Sequence, residues 1–215
     1  ETELEALPER VEDMRSTFAG SNVTIPHKIA VMPMLDSIAP EAQAIGAVNT
    51  IKFTEAGAFG YNTDYFGFGR MLEYNDIAVT GKVAVVLGSG GAARAVMKYL
   101  ADKEAAQIYL VTRDVTSVDE HFLEIAPCCK VINYAELESI KGDVIINCTP
   151  VGMFPKVEAA PVSAKVCANF EAAVDLIYNP AETLFLRQAK EAGKKYVNGL
   201  FMLVAQAVAA QEIWQ

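Results

Sequence analysis

The sequence predicts an α/β chain in two parts, a first part with a small mixed sheet and a second with a doubly wound parallel sheet. Two patterns carry this prediction. Residues 83–87 and 107–111 are short, apolar and β-branched with a helical stretch between them, which describes a βαβ crossover in a parallel sheet. Upstream, two strand-like runs flank the turn Glu55-Ala56-Gly57 and read as a hairpin. The pattern changes near residues 75–81, which sets the boundary.

In order along the chain, residues 8–18 read first as a helix. Pro8 suits a first-turn position, Glu9, Glu12 and Asp13 favour a helix start, and Val11, Met14 and Phe18 share a face. A strand and a turn follow at residues 22–26. Residues 29–37 are apolar at helical spacing, with Pro33 starting or kinking a helix there. Ala47-Val48-Asn49-Thr50-Ile51-Lys52-Phe53 and Ala58-Phe59-Gly60-Tyr61 are the hairpin strands, and residues 64–74 form a helix leading out of the first part. Beyond the boundary come the strand 83–87, a glycine turn, a helix over 92–101 and the strand 107–111. Val131-Ile132-Asn133-Tyr134, Asp143-Val144-Ile145-Ile146-Asn147 and Ala173-Val174-Asp175-Leu176 are further strands. A helix over 183–192 ends at Gly193, where glycine readily takes a left-handed C-cap. Residues 195–198 make one last strand and 200–214 a long closing helix. The domains are thus residues 1–75, joined by the C-terminal helix 203–215, and residues 80–200.

Composition narrows the function. The 215 residues are 52% apolar, ample for a core, and the chain is globular rather than disordered. A net charge of −9 without a lysine or arginine cluster argues against coating nucleic-acid phosphates. No segment reaches the roughly 20 consecutive apolar residues of a membrane helix, and the acidic start Glu1-Thr2-Glu3 does not resemble a secretory signal, so a cytoplasmic location is expected. Cys128, Cys129, Cys148 and Cys167 have neither paired CxxC spacing nor nearby histidines, so they read as reduced, mostly buried side chains and no metal site is expected. His27, in a loop beside Pro26, and His121, in a polar helical region, are read as having no direct chemical role.

The glycine turn Gly88-Ser89-Gly90-Gly91-Ala92-Ala93 fits G-x-G-x-x-A, the dinucleotide fingerprint of a Rossmann-type domain. In it Gly88 makes the tight turn, Gly90 lets the backbone approach a pyrophosphate, and Ala93 allows close helix packing. Strand before, helix after and a second strand about twenty residues on supply the required context. That second strand ends in Val111-Thr112-Arg113-Asp114. A hydroxyl and a guanidinium at Thr112 and Arg113 suit a ribose 2′-phosphate, hence NADP, whereas an inward Asp114 would repel it and leave NAD as the alternative.

Ser21-Asn22-Val23-Thr24-Ile25-Pro26-His27-Lys28 places Asn22 and Thr24 on one side of a short strand, with a proline turn delivering Lys28. Such side chains can line a pocket for a hydroxylated acid. Taken alone, Lys28 would start an exposed helix and Asp64 would be an N-cap for the helix after Thr63.

Seven blocks, in order, resemble the shikimate dehydrogenase family: Asn22-Val23-Thr24-Ile25-Pro26-His27-Lys28, Gly46-Ala47-Val48-Asn49-Thr50, Asn62-Thr63-Asp64, Gly88-Ser89-Gly90-Gly91-Ala92-Ala93-Arg94, Asn147-Cys148-Thr149-Pro150-Val151-Gly152-Met153, Asp175-Leu176-Ile177-Tyr178-Asn179-Pro180 and Gly199-Leu200-Phe201-Met202-Leu203-Val204-Ala205-Gln206. The resemblance implies reversible reduction of 3-dehydroshikimate to shikimate with NADPH, a step toward chorismate and the aromatic amino acids, by a monomer or homodimer. It implies that Lys28 and Asp64 are the catalytic pair, and that Asn22, Thr24, Asn49, Tyr178 and Gln206 hold the substrate. It places Gly88, Ser89, Gly90, Gly91, Ala92, Thr112, Arg113, Thr149, Leu176, Gly199 and Met202 on the cofactor side. Family members carry about forty to fifty further residues before the first block, a first βαβ unit with a serine pair for the substrate carboxylate, so a truncated member with an exposed sheet edge is expected. Two alternatives stay open at this stage. One is a quinate/shikimate dehydrogenase using NAD, and the other a non-catalytic dinucleotide-binding relative.

Overall fold

The computed structural model describes residues 3–24 and 26–215. The first part is built on a four-stranded sheet of β1 (Gly20–Asn22), β2 (Ser37–Ile38), β3 (Thr50–Thr54) and β4 (Gly57–Tyr61), in the order β1-β3-β4-β2. β3 pairs antiparallel with β1 and β4, and β2 runs parallel to β4, so the sheet is mixed. The expected hairpin is present, with Gly57 at φ 133° in its turn. Helix α1 (Leu7–Arg15) covers this sheet through Leu7 and Val11, which join Val31, Val48, Ile51 and Phe53 in one apolar cluster.

The second part holds six parallel strands: β5 (Val83–Leu87), β6 (Gln107–Val111), β7 (Cys129–Ile132), β8 (Gly142–Asn147), β9 (Phe170–Asp175) and β10 (Lys195–Val197). Their order is β10-β9-β8-β5-β6-β7, which is the 3-2-1-4-5-6 winding with its reversal between β5 and β8. Both faces are covered, as apolar parallel strands require. α3 (Thr63–Tyr74), α4 (Gly91–Asp102) and α9 (Leu200–Trp214) contribute Phe68, Met97 and Met202 to the cluster on one face. α8 (Leu184–Glu191) contributes Phe185 and Leu186 to the cluster on the other. Among the described residues no helix is long and apolar enough to cross a membrane.

Several expected elements take a different form. Of the strand and turn expected over 22–26, the strand lies earlier, at Gly20–Asn22, and the turn is present, with the His27 amide donating to the Thr24 carbonyl at 2.9 Å; Ile25 lies outside the described residues. No α-helix forms over 29–37. Pro33 brings no N–H, so the segment holds only a 3₁₀ turn, Met32–Met34, before β2. The first helix stops at Arg15 rather than residue 18, its end tightened by the Thr17 amide turning onto the Met14 carbonyl at 3.2 Å, three residues back. The strand read at 131–134 ends at Ile132, since Asn133 caps the short helix α6 (Tyr134–Leu137). Unforeseen were β2, α2 (Pro40–Ile45) and the short helices α6 and α7 (Ala164–Cys167), whereas α5 (His121–Ile125) falls in the polar region read as helical. α2 carried standard signals, Pro40 at its start and Gly46 left-handed at its end with φ 68°.

Candidate active site

Lys28 follows the turn after β1, and the Val48 amide holds its carbonyl at 2.8 Å. Its ammonium donates to Asp64 Oδ2 at 2.6 Å, with side chains only 15% and 11% exposed. Asp64 lies in the first turn of α3, but it is not the N-cap. Asn62 caps the helix, accepting from the Tyr65 amide at 3.3 Å and donating to the Ala47 carbonyl at 2.9 Å. The Asp64 carboxylate is thereby left to the lysine. A Cβ placed on Gly91 would meet Lys28 Cδ at 4.0 Å, so the pair stands directly against the glycine turn of the other sheet.

A polar network continues from the pair. Asn49 Oδ1 accepts from the Thr63 amide at 2.7 Å and from the Thr50 hydroxyl at 3.1 Å. Asn22 donates to the Asn49 carbonyl at 3.4 Å and to Thr50 Oγ1 at 3.3 Å. The Thr63 hydroxyl lies 3.2 Å from both Asn49 Oδ1 and Thr50 Oγ1, and 3.3 Å from Gln206 Oε1; its single proton serves one acceptor at a time. Three expected substrate residues, Asn22, Asn49 and Gln206, are thus brought together. Thr50 and Thr63, which link them, stood in the resembling blocks with no role assigned. Thr24 is exposed at the turn.

On the parallel sheet, a groove of about 930 Å³ opens at the carboxyl ends of the strands, beside the reversal point. Gly88, Ser89, Gly90, Gly91, Ala92, Thr112, Arg113, Thr149 and Leu176 line it. Gly88 sits at φ 92°, and a Cβ there would meet Thr149 Cγ2 at 2.7 Å. At Gly90 a Cβ would meet nothing within 4 Å, so the backbone at the start of the 12-residue α4 faces open space. Such a helix start suits a pyrophosphate, and the groove volume suits a large ligand. Arg113 is the one charged residue among those lining the groove.

Tyr178 also lines the groove, half exposed, on the loop after β9 rather than on the mixed sheet. Gly199 and Met202 do not line it. Gly199 backs Leu176, whose carbonyl oxygen would lie 2.1 Å from a Cβ there, and Met202 is buried in the core. Tyr134, Met153 and Phe154 line the groove without a role having been assigned to them in the sequence.

A second missed group lies beneath the groove. Asn147 and Asp175 end β8 and β9, and with Thr183 they are fully buried. Asn147 donates to Asp175 Oδ1 at 3.0 Å and accepts from the Thr149 hydroxyl at 2.7 Å; Asp175 also accepts from the Ile177 amide at 3.0 Å and the Thr183 hydroxyl at 2.7 Å. This anchor fixes both loops that wall the groove. Its signal in the sequence was a polar residue closing each of two apolar strands. Burial raises the Asp175 carboxyl from 3.8 to about 6, against the opposing hydrogen bonds from Thr183, Ile177 and Asn147.

The four cysteines are free thiols: Cys129 and Cys167 are buried, Cys148 is partly covered and Cys128 is exposed. Among the described residues no cluster of histidine, cysteine and carboxylate side chains could hold a metal ion.

A reversed parallel sheet with a glycine turn at its switch point, faced by a lysine–aspartate pair from a second sheet, defines a dinucleotide-binding enzyme class. The comparisons narrow it further. A family model described as the shikimate dehydrogenase substrate binding domain matches residues 1–51. A shikimate dehydrogenase (NADP(+)) of Clostridium perfringens is 50% identical over 196 residues, covering 91% of this chain and 72% of the relative. A chorismate mutase/shikimate 5-dehydrogenase fusion protein from Clostridium acetobutylicum is 53% identical with a TM-score of 0.94, over all of this chain and 78% of that one. The Thermus thermophilus shikimate 5-dehydrogenase, solved in complex with NADP(H) and shikimate, is 38% identical with a TM-score of 0.89, over 100% of this chain and 79% of that one. The chain belongs to the shikimate dehydrogenase family.

Proposed function

We propose that the chain interconverts 3-dehydroshikimate and shikimate with NADPH and NADP⁺, using Lys28 and Asp64 as its proton-transfer pair. The carrying observation is the 2.6 Å contact between Lys28 Nζ and Asp64 Oδ2, set against the glycine turn at Gly91. The mixed sheet with the end of α9 is the shikimate lobe, residues 1–75 with 203–215, and residues 80–200 are the nucleotide lobe.

Bound NADPH supplies the hydride that turns the ring ketone into an alkoxide. The chain's own task is to meet that negative charge and return a proton to the oxygen. Lys28 donates a hydrogen bond to the carbonyl oxygen, which strengthens as charge develops, and then gives up the proton that makes the alcohol. Asp64 holds the ammonium in place and balances its charge. In shikimate oxidation the same pair takes the hydroxyl proton as hydride leaves the carbon. Asn22, Asn49 and Gln206 hold ring hydroxyls and carboxylate, their own positions fixed through Thr50 and Thr63. Arg113 and Thr112 take the 2′-phosphate, and the α4 start takes the pyrophosphate.

The test follows the absorbance of reduced nicotinamide as purified chain meets shikimate with NADP⁺ or NAD⁺. The expected result is a rise with NADP⁺ and a slower one with NAD⁺. No rise with either overturns the activity, and a faster rise with NAD⁺ overturns the role given to Arg113.

A further inference from the structure

Discrimination between NADPH and NADH in this groove depends on very few charges. Among the described residues Arg113 is the only charged side chain lining it, and the next residue in the chain is an acid. An aspartate adjoining the sole cation would repel a 2′-phosphate and would accept a hydrogen bond from a 2′-hydroxyl, which favours the other dinucleotide. In the structure the Asp114 carboxylate is engaged by Thr116. Its Oδ1 accepts from the Thr116 hydroxyl at 2.7 Å and from the Thr116 amide at 2.9 Å, capping the 3₁₀ turn Val115–Ser117, and Asp114 is absent from the groove wall. The Ser117 hydroxyl donates to the Asp114 carbonyl at 3.0 Å and tightens the same turn.

We propose that Thr116 sets the dinucleotide preference of this chain by holding the Asp114 carboxylate away from the place beside Arg113 where a 2′-phosphate sits. This rests on the NADP reading given above. Thr116 is a positioning residue: it does not line the groove, and it acts on the ligand only through where it keeps the acid. The same two hydrogen bonds keep the Asp114 carboxyl below the usual carboxylate range, so the acid is charged at neutral pH. Charge, rather than bulk, is therefore what Thr116 keeps out of the site. Valine in its place removes the hydroxyl and leaves only the amide to restrain the acid.

The test is a fluorescence titration of the reduced dinucleotides, without substrate, giving Kd for NADPH and NADH separately. Wild type, T116V, T116S, D114N and the double variant D114N/T116V are compared at low and high salt. Thr116 is exposed, so the substitutions touch no core, and NADH binding reports that the groove is intact in each variant. In T116V the preference for NADPH should fall roughly three- to fivefold at low salt, the size of one screened charge interaction, and less at high salt. T116S should keep the wild-type preference, and D114N/T116V should regain it because the freed side chain is then neutral. An unchanged preference in T116V overturns the inference. So does a loss in T116V that D114N/T116V does not repair, since that loss would come from the turn and not from the charge. A wild type without preference for NADPH overturns the NADP reading itself and this inference with it.

Discussion

Asp175 shows how a single buried group ties the groove to pH. Unfolded, its carboxyl ionises at its ordinary 3.8; folded, burial moves it to about 6, although Thr183, Ile177 and Asn147 all donate to it. Between those values the folded chain keeps a proton that the unfolded chain has released. Stability contributed by this group is therefore full below about pH 4 and is lost as pH rises toward 6, by up to ~3 kcal/mol. D175N removes that slope while costing stability throughout, because an amide cannot accept from all three donors. Urea midpoints at about pH 4.5 and about pH 7 should converge between variant and wild type at the higher pH. An identical pH slope in the two proteins would show that Asp175 does not titrate there. The residue's role was hidden in the sequence because a polar residue ending a strand looks like the start of a loop. Only the pairing of Asn147 with Asp175 across β8 and β9 makes both of them buried.

Among elements, the crossing of α3 and α9 sets where Gln206 stands against Thr63. α3 carries Gly67 and Gly69 in its middle, where helix propensity alone makes Gly67→Ala a gain of about 1 kcal/mol. Packing gives the opposite sign. A Cβ on Gly67 would lie 2.8 Å from the Met202 carbonyl oxygen and 3.0 Å from Gln206 Cβ, so the two helices must separate. G67A should lose about 1–2 kcal/mol in urea denaturation and raise the KM for shikimate, as Gln206 moves off Thr63. A more stable G67A would show that α9 is free to slide. The junction of α2 with the parallel-sheet part follows similar logic. Gly46 ends α2 in a left-handed conformation, and a Cβ there would stand 2.6 Å from His121 Nε2. His121 was read correctly as lying in a helix, but its place against the other lobe has no local sequence signal.

At the scale of the molecule, the proposed function divides its chemistry between the two parts. Lys28 and Asp64 belong to the mixed-sheet part, whereas the groove is built wholly from residues beyond the boundary. α9 spans both: it starts behind Leu176 at Gly199, and its Trp214 indole donates to the Ile51 carbonyl at 2.9 Å. Lys28→Ala or Asp64→Asn should therefore cut turnover by about 10²- to 10⁴-fold while leaving the Kd for NADPH within about twofold. Normal turnover in either variant would remove the pair from the mechanism, and lost NADPH binding would show that the lobes are not separable. By itself the sequence determined the α/β class, the βαβ unit with its glycine turn, the closing helix and the pairing of Lys28 with Asp64 as an idea. These rest on local periodicity, backbone restrictions of glycine and proline, and ordered motifs, all of which are written within short windows of chain. The tertiary structure alone decided that Asn62 rather than Asp64 caps α3, and that Met202 is core while Tyr178 walls the groove. Each of those outcomes depends on which distant groups compete for one hydrogen bond or one volume, and such competition exists only once the chain has folded.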